Sequence, residues 1–335
     1  MIGPMTISIY DIAKEANVAP STVSRALQNH PRIGTETKAR IQALAKTMGY
    51  VPSAVAKSLT TNKTWTIGMV VTAVADPVVA DILDGVEAVA QDAGYSVFLS
   101  NSRDDAEREA ALIETFQRRR VDAIIVHASR RNKLYNSKLT QHQVPIILIE
   151  HQEPGNYQHT VSTDSKRGGQ LATEHLIGLG HRRIGFVGAL ERPRSNEERL
   201  NGYKAALEQA NIPFIPEIVS LLESDDDFER GQLGLAEILA GEPTAVFCYN
   251  DRTAIGLMKG CEQRGIAIPD QLSIVGFDDI GNASYLRPAL TTMRQPWIQM
   301  GEIAMQMTLD LLDGQTPENR ILPVELIVRQ TTTKR

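Results

Sequence analysis

Residues 9–28 read Ile9-Tyr10-Asp11-Ile12-Ala13-Lys14-Glu15-Ala16-Asn17-Val18-Ala19-Pro20-Ser21-Thr22-Val23-Ser24-Arg25-Ala26-Leu27-Gln28. Ile9, Ile12, Ala13 and Ala16 recur at helical spacing with Asp11 and Glu15 on the other face, so a short amphipathic helix is expected from about Ser8 to Ala16. Asn17 tolerates the left-handed conformation that ends a helix, and Val18 can pack beneath the turn. Pro20 suits a first helical turn. A second helix then runs through Leu27, with Ser21, Thr22, Ser24 and Arg25 outward and Val23 and Leu27 inward. Two short helices joined by a tight turn form a helix-turn-helix pattern. A third helix, Thr35 to Met48 with Thr35 as its cap, carries Ile41, Leu44, Ala45 and Met48 on one face and ends at Gly49. Pro52, a Ser53 cap and about two helical turns through Leu59 follow, too few to be stable alone.

The charge divides with the pattern. Residues 1–65 hold eight basic and three acidic groups, a net +5, whereas the remaining 270 hold 27 basic and 37 acidic groups, a net −10. A basic head on an acidic body is expected where one end meets a polyanion and the other does not. At 335 residues the chain suits two or three domains, and 42% hydrophobic with 22% charged residues excludes a disordered or collagenous class. No apolar run approaches a membrane span, and Met1–Thr6 lacks the basic and apolar regions of a signal peptide, so a soluble, cytoplasmic protein is expected. Cys248 and Cys261 have no CxxC spacing and read as packing residues.

From Trp65 onward apolar strands alternate with helices. Ile67–Val71, Ser96–Leu99, Ala123–Val126 and Ile146–Ile149 read as buried parallel strands, separated by helices near Val78–Gly94, Ala106–Arg119 and Leu134–Gln141. A second α/β unit follows with helix Gly168–Leu179, strand Ile184–Gly188, helices Glu197–Ala210 and Arg230–Leu239, strand Ala245–Cys248, helix Thr253–Arg264 and strand Ser273–Phe277. Two doubly wound halves with a cleft at their strand carboxyl ends make a ligand-binding architecture. The fold class is thus an all-α helix-turn-helix head plus an α/β body of two parallel-sheet halves.

Several blocks in order, Ile9–Ala13, Ser21–Leu27, Gly49–Pro52, Ala54–Leu59, Ala172–Leu176, Gly180–Ile184, Arg199–Tyr203, Val275–Ile280 and Leu290–Thr292 with Gln295-Pro296, resemble the lactose/galactose repressor family of bacterial transcription regulators. Asn17 departs from the family's common Gly, and Ala19-Pro20 replaces a capping Ser. The resemblance implies a periplasmic-binding-protein-like body, with helix Ile298–Leu312 crossing back to the first half and strand Ile327–Val328 joining the second. It implies a head over residues 7–52, a hinge over 53–64 and an effector-binding and dimerisation body over 65–335. The first half of the body covers about 65–162 and 294–322, the second about 163–293 and 323–335. Expected DNA contacts are Ser8, Tyr10, Pro20, Ser21, Thr22, Ser24, Arg25, Gln28 and Arg32, with Ala56, Lys57 and Leu59 in the minor groove. Expected effector contacts are Val74, Asp76, Val79, His151, Ser195, Arg199, Asn250, Asp251 and Asp278. Val78-Val79 stand where many relatives carry aromatics, which removes a stacking surface there.

Enzyme chemistry finds little support. There is no Gly-Lys pair for a phosphate loop, no HExxH and no GxSxG, and the Gly178-x-Gly180 element precedes a strand, as a helix cap does. Asp225-Asp226-Asp227 reads as a solvated loop capping a helix at Phe228, and Trp297 with Met300, Met305 and Met307 as packing residues. No catalytic residue, metal or cofactor is expected. The expected function is repression of a carbohydrate-utilisation operon by a homodimer on a near-palindromic operator, under a sugar or sugar-derived effector. The alternatives are a solute-binding protein, an α/β enzyme with a fused head, or a nucleobase or nucleoside co-repressor as effector.

Overall fold

The computed structural model describes residues 7–51, 58, 63–128, 144–152, 159–224 and 226–335. Two compact units divide the chain, Met1–Thr64 and Trp65–Arg335. The expected helix over Leu134–Gln141, the hinge positions Ala56, Lys57 and Leu59, and Asp225 lie outside the described residues.

In the first unit, helices α1 (Ile9–Ala16), α2 (Pro20–Leu27) and α3 (Thr35–Thr47) close on Ile12, Ala13, Ala16, Val23, Ala26, Ile41 and Ala45. Ser8 is the N-cap of α1: its backbone N–H donates to Asp11 Oδ2 at 2.8 Å, and Asp11 N donates to Ser8 Oγ at 3.4 Å, a reciprocal capping box. Asn17 ends α1 at φ +51°, its N–H donating to the carbonyls of Ala13 and Lys14. Thr35 is not the cap of α3. It is the first helical residue, and Gly34 precedes it with no side-chain cap. From α3, Arg40 donates to Ala16 O at 3.2 Å and Gln42 to Ala26 O at 3.3 Å, so its side chains satisfy terminal carbonyls of the other two helices.

The second unit has two six-stranded sheets. Strands β1 (Thr66–Val71), β2 (Ser96–Asn101), β3 (Ala123–His127), β4 (Ile146–Ile149), β5 (Thr160–Thr163) and β11 (Arg320–Leu322) form the first, in the order β11-β5-β4-β3-β1-β2. The second holds β6 (Ile184–Ala189), β7 (Val219–Leu222), β8 (Ala245–Cys248), β9 (Ser273–Asp278), β10 (Thr291–Arg294) and β12 (Glu325–Ile327), in the order β12-β10-β9-β8-β6-β7. Pairing is parallel except for β12 against β10. Central strands such as β3 and β8 are buried along their whole length, as their near-continuous apolar runs require. Helices α4 (Pro77–Asp92), α5 (Ala106–Arg118), α6 (Ser165–Gly178), α7 (Pro193–Gln209), α8 (Asp227–Ile238), α9 (Asp251–Arg264) and α10 (Trp297–Leu312) connect and cover the strands. The returning strand is Glu325–Ile327, slightly earlier than the expected Ile327–Val328. Gly178 closes α6 and Gly180 follows at φ +96°, a helix end.

Three helix pairs approach through reciprocal glycines. Gly85 of α4 faces Ile298 O while Gly301 of α10 faces Ile82 O. Gly169 of α6 faces Arg199 O while Gly202 of α7 faces Lys166 O. Gly231 of α8 faces Thr253 O while Gly256 of α9 faces Phe228 O. A Cβ at any of these positions would enter the opposite backbone, so the absence of a side chain sets the spacing of the helices that carry the site.

Candidate functional site

The helix-turn-helix surface comes first in the chain. On α2, Pro20, Ser21 and Arg25 are exposed and Thr22 and Ser24 half-buried, while Val23 and Ala26 are buried. Tyr10, Gln28 and Arg32 are exposed, and Ser8 is half-buried in its capping box. The first turn of α2 closes on backbone alone: Thr22 N donates to Ala19 O at 2.8 Å, and Ala19 supplies no side-chain cap.

The second surface lies within the body, where strand carboxyl ends from both sheets meet, the place where open α/β sheets bind ligands. An inner cavity of about 60 Å³ is lined by Thr72, Asp76, Val78, His127, Ala128, Glu150, Gln152, Arg192, Ser195, Arg199, Asp227, Tyr249, Asn250, Asp278, Gln295 and Trp297. Through Thr72, Asp76, Arg192 and Asp227 it shares a wall with an outer chamber of about 550 Å³ that also includes Asn101, Arg103, Asp104, Glu191 and Arg252.

Arg199, from α7, is buried over the Phe277 ring, with its guanidinium carbon 3.7 Å from the centroid. Its Nη1 donates to Tyr249 O at 2.6 Å, and Nη2 lies 3.9 Å from Asp278 Oδ1. Both partners belong to the second half, so the pair does not lock the halves together. Asp278 has φ +117° and accepts from Gln295 Nε2 at 2.7 Å. Gln295 Oε1 accepts from Thr163 Oγ1 at 2.6 Å, and Glu150 Oε1 accepts from Thr163 N at 2.6 Å, carrying the network into the first half. Burial pushes the carboxyls of Asp278, Glu150 and Asp76 above their ordinary range against the opposing pull of arginines. His127 is pushed down to about 3 by burial and by Arg192, so its imidazole is neutral. Trp297 is 7% exposed, stands edge-on to His127 at 6.1 Å and donates from Nε1 to Asp278 O at 3.3 Å. It is core packing, as expected, and cavity wall as well.

Asp76, Ser195, Arg199, Asn250 and Asp278 meet in the cavity; Val74, Val79, His151 and Asp251 do not line it. Val74 points to solvent at 56% exposed. Val79 packs in the core, and its neighbour Val78 takes the lining position because α4 has already begun at Pro77. His151 is turned toward α7, with Arg194 Nη1 2.9 Å from Nε2. Asp251 lies below the cavity, accepting from Thr292 Oγ1 at 2.5 Å and Ile280 N at 2.9 Å. Asp226 caps α8 by accepting from Phe228 N, but Asp227 is no solvated loop residue: it pairs with Arg230 and accepts from Asn250 Nδ2 at 2.9 Å. Sequence reasoning missed His127, Glu150 and Tyr249, although each is the polar or aromatic residue at the end of an apolar strand run. Gln152, Arg192 and Gln295 carry no comparable local signal. Among the described residues no group of three or more His, Cys, Asp and Glu could hold a metal, and no helix is long and apolar enough to cross a membrane.

A helix-turn-helix unit followed by two parallel-sheet halves that meet at a polar cavity defines a class of DNA-binding transcription regulators. Residues 8–53 match the family model of bacterial regulatory proteins of the lacI family, and residues 173–332 match a periplasmic binding protein-like domain. The chain is 31% identical over 333 residues to catabolite control protein A of Priestia megaterium, covering 98% of this chain and 100% of that protein. It is 33% identical over 317 residues to the ribose operon repressor of Haemophilus influenzae, covering 94% and 95%. The structure of the lac repressor dimer bound to operator and the anti-inducer ONPF matches with a TM-score of 0.88 at 25% identity, covering 98% and 99%. The chain belongs to the lacI family and is a DNA-binding transcription regulator. These relatives are transcription regulators, not enzymes.

Proposed function

We propose that the protein is a homodimeric repressor of a carbohydrate-utilisation operon, acting in the cytoplasm. Its head (7–52) and hinge (53–64) hold a near-palindromic operator, and its body (65–335) takes a sugar or sugar derivative. Ser21 and Arg25 read base edges in the major groove, with Ser8, Tyr10, Pro20, Thr22, Ser24, Gln28 and Arg32 positioned around them. Ala56, Lys57 and Leu59 belong to the hinge that meets the minor groove.

The effector reading is supported above all by Arg199 and Asp278 standing 3.9 Å apart at the cavity wall, a guanidinium and a carboxyl able to clamp adjacent hydroxyls. Asp76, Ser195 and Asn250 complete the polar lining, and Trp297 offers an aromatic wall. The inner cavity adjoins the outer chamber at Arg192 and Asp227, so a change in how the halves close alters the room for a ligand between them. A ligand that prefers one state of closure shifts the equilibrium by that preference, and linkage carries the shift to operator affinity.

The test is a thermal-shift panel of sugars on the full chain, paired with fluorescence anisotropy on an operator selected from random duplexes. A ligand at 100 times its Kd adds about 2.7 kcal/mol. Asp278→Ala abolishes the ligand response and leaves operator binding measurable. A variant responding like the wild type removes Asp278 from the effector site.

A further inference from the structure

We propose that the cavity takes an uncharged polyhydroxylated effector and rejects the phosphorylated or carboxylated counterparts of that compound. The inference deepens the sugar reading above and rests on it.

The charges already present leave no place for an anion. Four carboxyls, Asp76, Glu150, Asp227 and Asp278, line the cavity against two guanidinium groups, Arg192 and Arg199. Each cation is already engaged: Arg192 Nη1 lies 3.3 Å from Asp104 Oδ1, and Arg199 faces Asp278 and Tyr249 O. The helix N-termini around the cavity are occupied too, although such termini are the usual cradle for a phosphate. Val78 N donates to Asp76 at 3.3 Å, Thr253 N to Asn250 Oδ1 at 2.8 Å, and Arg194 N to Gln152 O at 3.2 Å.

Hydrogen-bond direction makes the same point at the back wall. Thr163 Oγ1 has one proton, yet it lies 2.6 Å from Gln295 Oε1 and 2.9 Å from Glu150 Oε1. Gln295 directs its amide N–H at Asp278, so its oxygen takes the threonine proton. Glu150 Oε1 also accepts from Thr163 N at 2.6 Å, so both oxygens facing Thr163 are acceptors and the back wall has no spare donor for an anion. Gln295 thus links Thr163 to Asp278, whose other neighbour is Arg199. Two polar atoms stand apart from this network. His127 Nδ1 and Arg199 Nε are buried at the cavity lining with no hydrogen-bond partner among the described residues. A neutral imidazole and an N–H donor suit hydroxyl groups, which both donate and accept.

The experiment is differential scanning fluorimetry of the full chain with matched pairs: ribose and ribose 5-phosphate, glucose with glucose 6-phosphate and gluconate, galactose with galacturonate. Inorganic phosphate at equal ionic strength is the reference, because a basic head itself takes phosphate. The expected result is a neutral sugar that raises Tm while its charged counterpart binds about 100-fold or more weakly, the scale of an uncompensated like-charge contact. A charged member that binds as tightly as its neutral counterpart, beyond the phosphate reference, overturns the inference and leaves the sugar reading standing. A panel in which no member shifts Tm counts against the sugar reading itself, and the inference falls with it.

Discussion

Gly169→Ala tests whether glycine contacts between helices set the position of Arg199. A Cβ at Gly169 would stand 2.9 Å from Arg199 Cα and 3.0 Å from its carbonyl carbon, with the carbonyl oxygen nearer still, whereas ordinary contact begins at 3.4 Å. Helices α6 and α7 must therefore separate by about 1 Å to clear the carbonyl oxygen, and the atoms in the way are backbone, which cannot rotate aside. Overpacking of this kind costs about 1–3 kcal/mol, with a backbone clash at the upper end. The better helix propensity of Ala returns up to about 1 kcal/mol. The net loss of about 2 kcal/mol lowers Tm by about 4–8 °C in a unit of this size. Gly178→Ala on the same helix is the control, because a Cβ there meets nothing within 4 Å, and it should hold or slightly raise Tm. Thermal and urea melts of both variants decide the matter, with effector affinity as a second readout since Arg199 moves with α7. Gly169→Ala melting at or above the wild type would refute the argument.

Asp251 is pushed up to about 7 by burial, from an ordinary 3.8. Between about pH 4 and 7 the unfolded chain loses this proton while the folded chain keeps it. Stability therefore falls as pH rises, by about 4 kcal/mol over the window, and Asp251→Asn should flatten a Tm-against-pH profile there. His181, held by Thr244 and Thr333 and pushed down by burial, acts in the opposite sense: stability falls as pH drops below about 6.5, and His181→Gln should remove part of that acid loss in the same melts. Ser8→Ala breaks the α1 capping box, costs about 1 kcal/mol, and should speed hydrogen exchange of α1 amides about fivefold. Arg25→Ala should relax specificity at one base pair per half-site by about 1–3 kcal/mol in a binding competition; equal weakening on all sequences would make Arg25 a phosphate contact.

The sequence by itself determined the features made within a few residues of one another. Asn17 ends α1 in the left-handed region, Pro20 opens α2, and the Val- and Ile-rich runs of β1, β3 and β4 are buried strands, because capping, ring geometry and apolar periodicity are local. The carboxyl ends of strand runs β1, β8 and β9 also located Asp76, Asn250 and Asp278, since a parallel sheet presents its loops at one edge, whereas Arg199 lies within α7 and was marked only by the family resemblance. Short β5, Thr160–Thr163, and β10, Thr291–Arg294, carried no apolar run to mark them, and only pairing within the sheets makes them strands. Side-chain direction was likewise decided by the tertiary fold: Val79 and Asp251 stand next to lining residues, yet the onset of α4 and the bonds from Thr292 and Ile280 turn them inward. Gln295 and Glu150 are far apart in the chain and meet only through Thr163, where the last crossover passes between the two sheets. That chain of hydrogen bonds depends on which strand lies beside which, and strand order is settled by packing across the whole body.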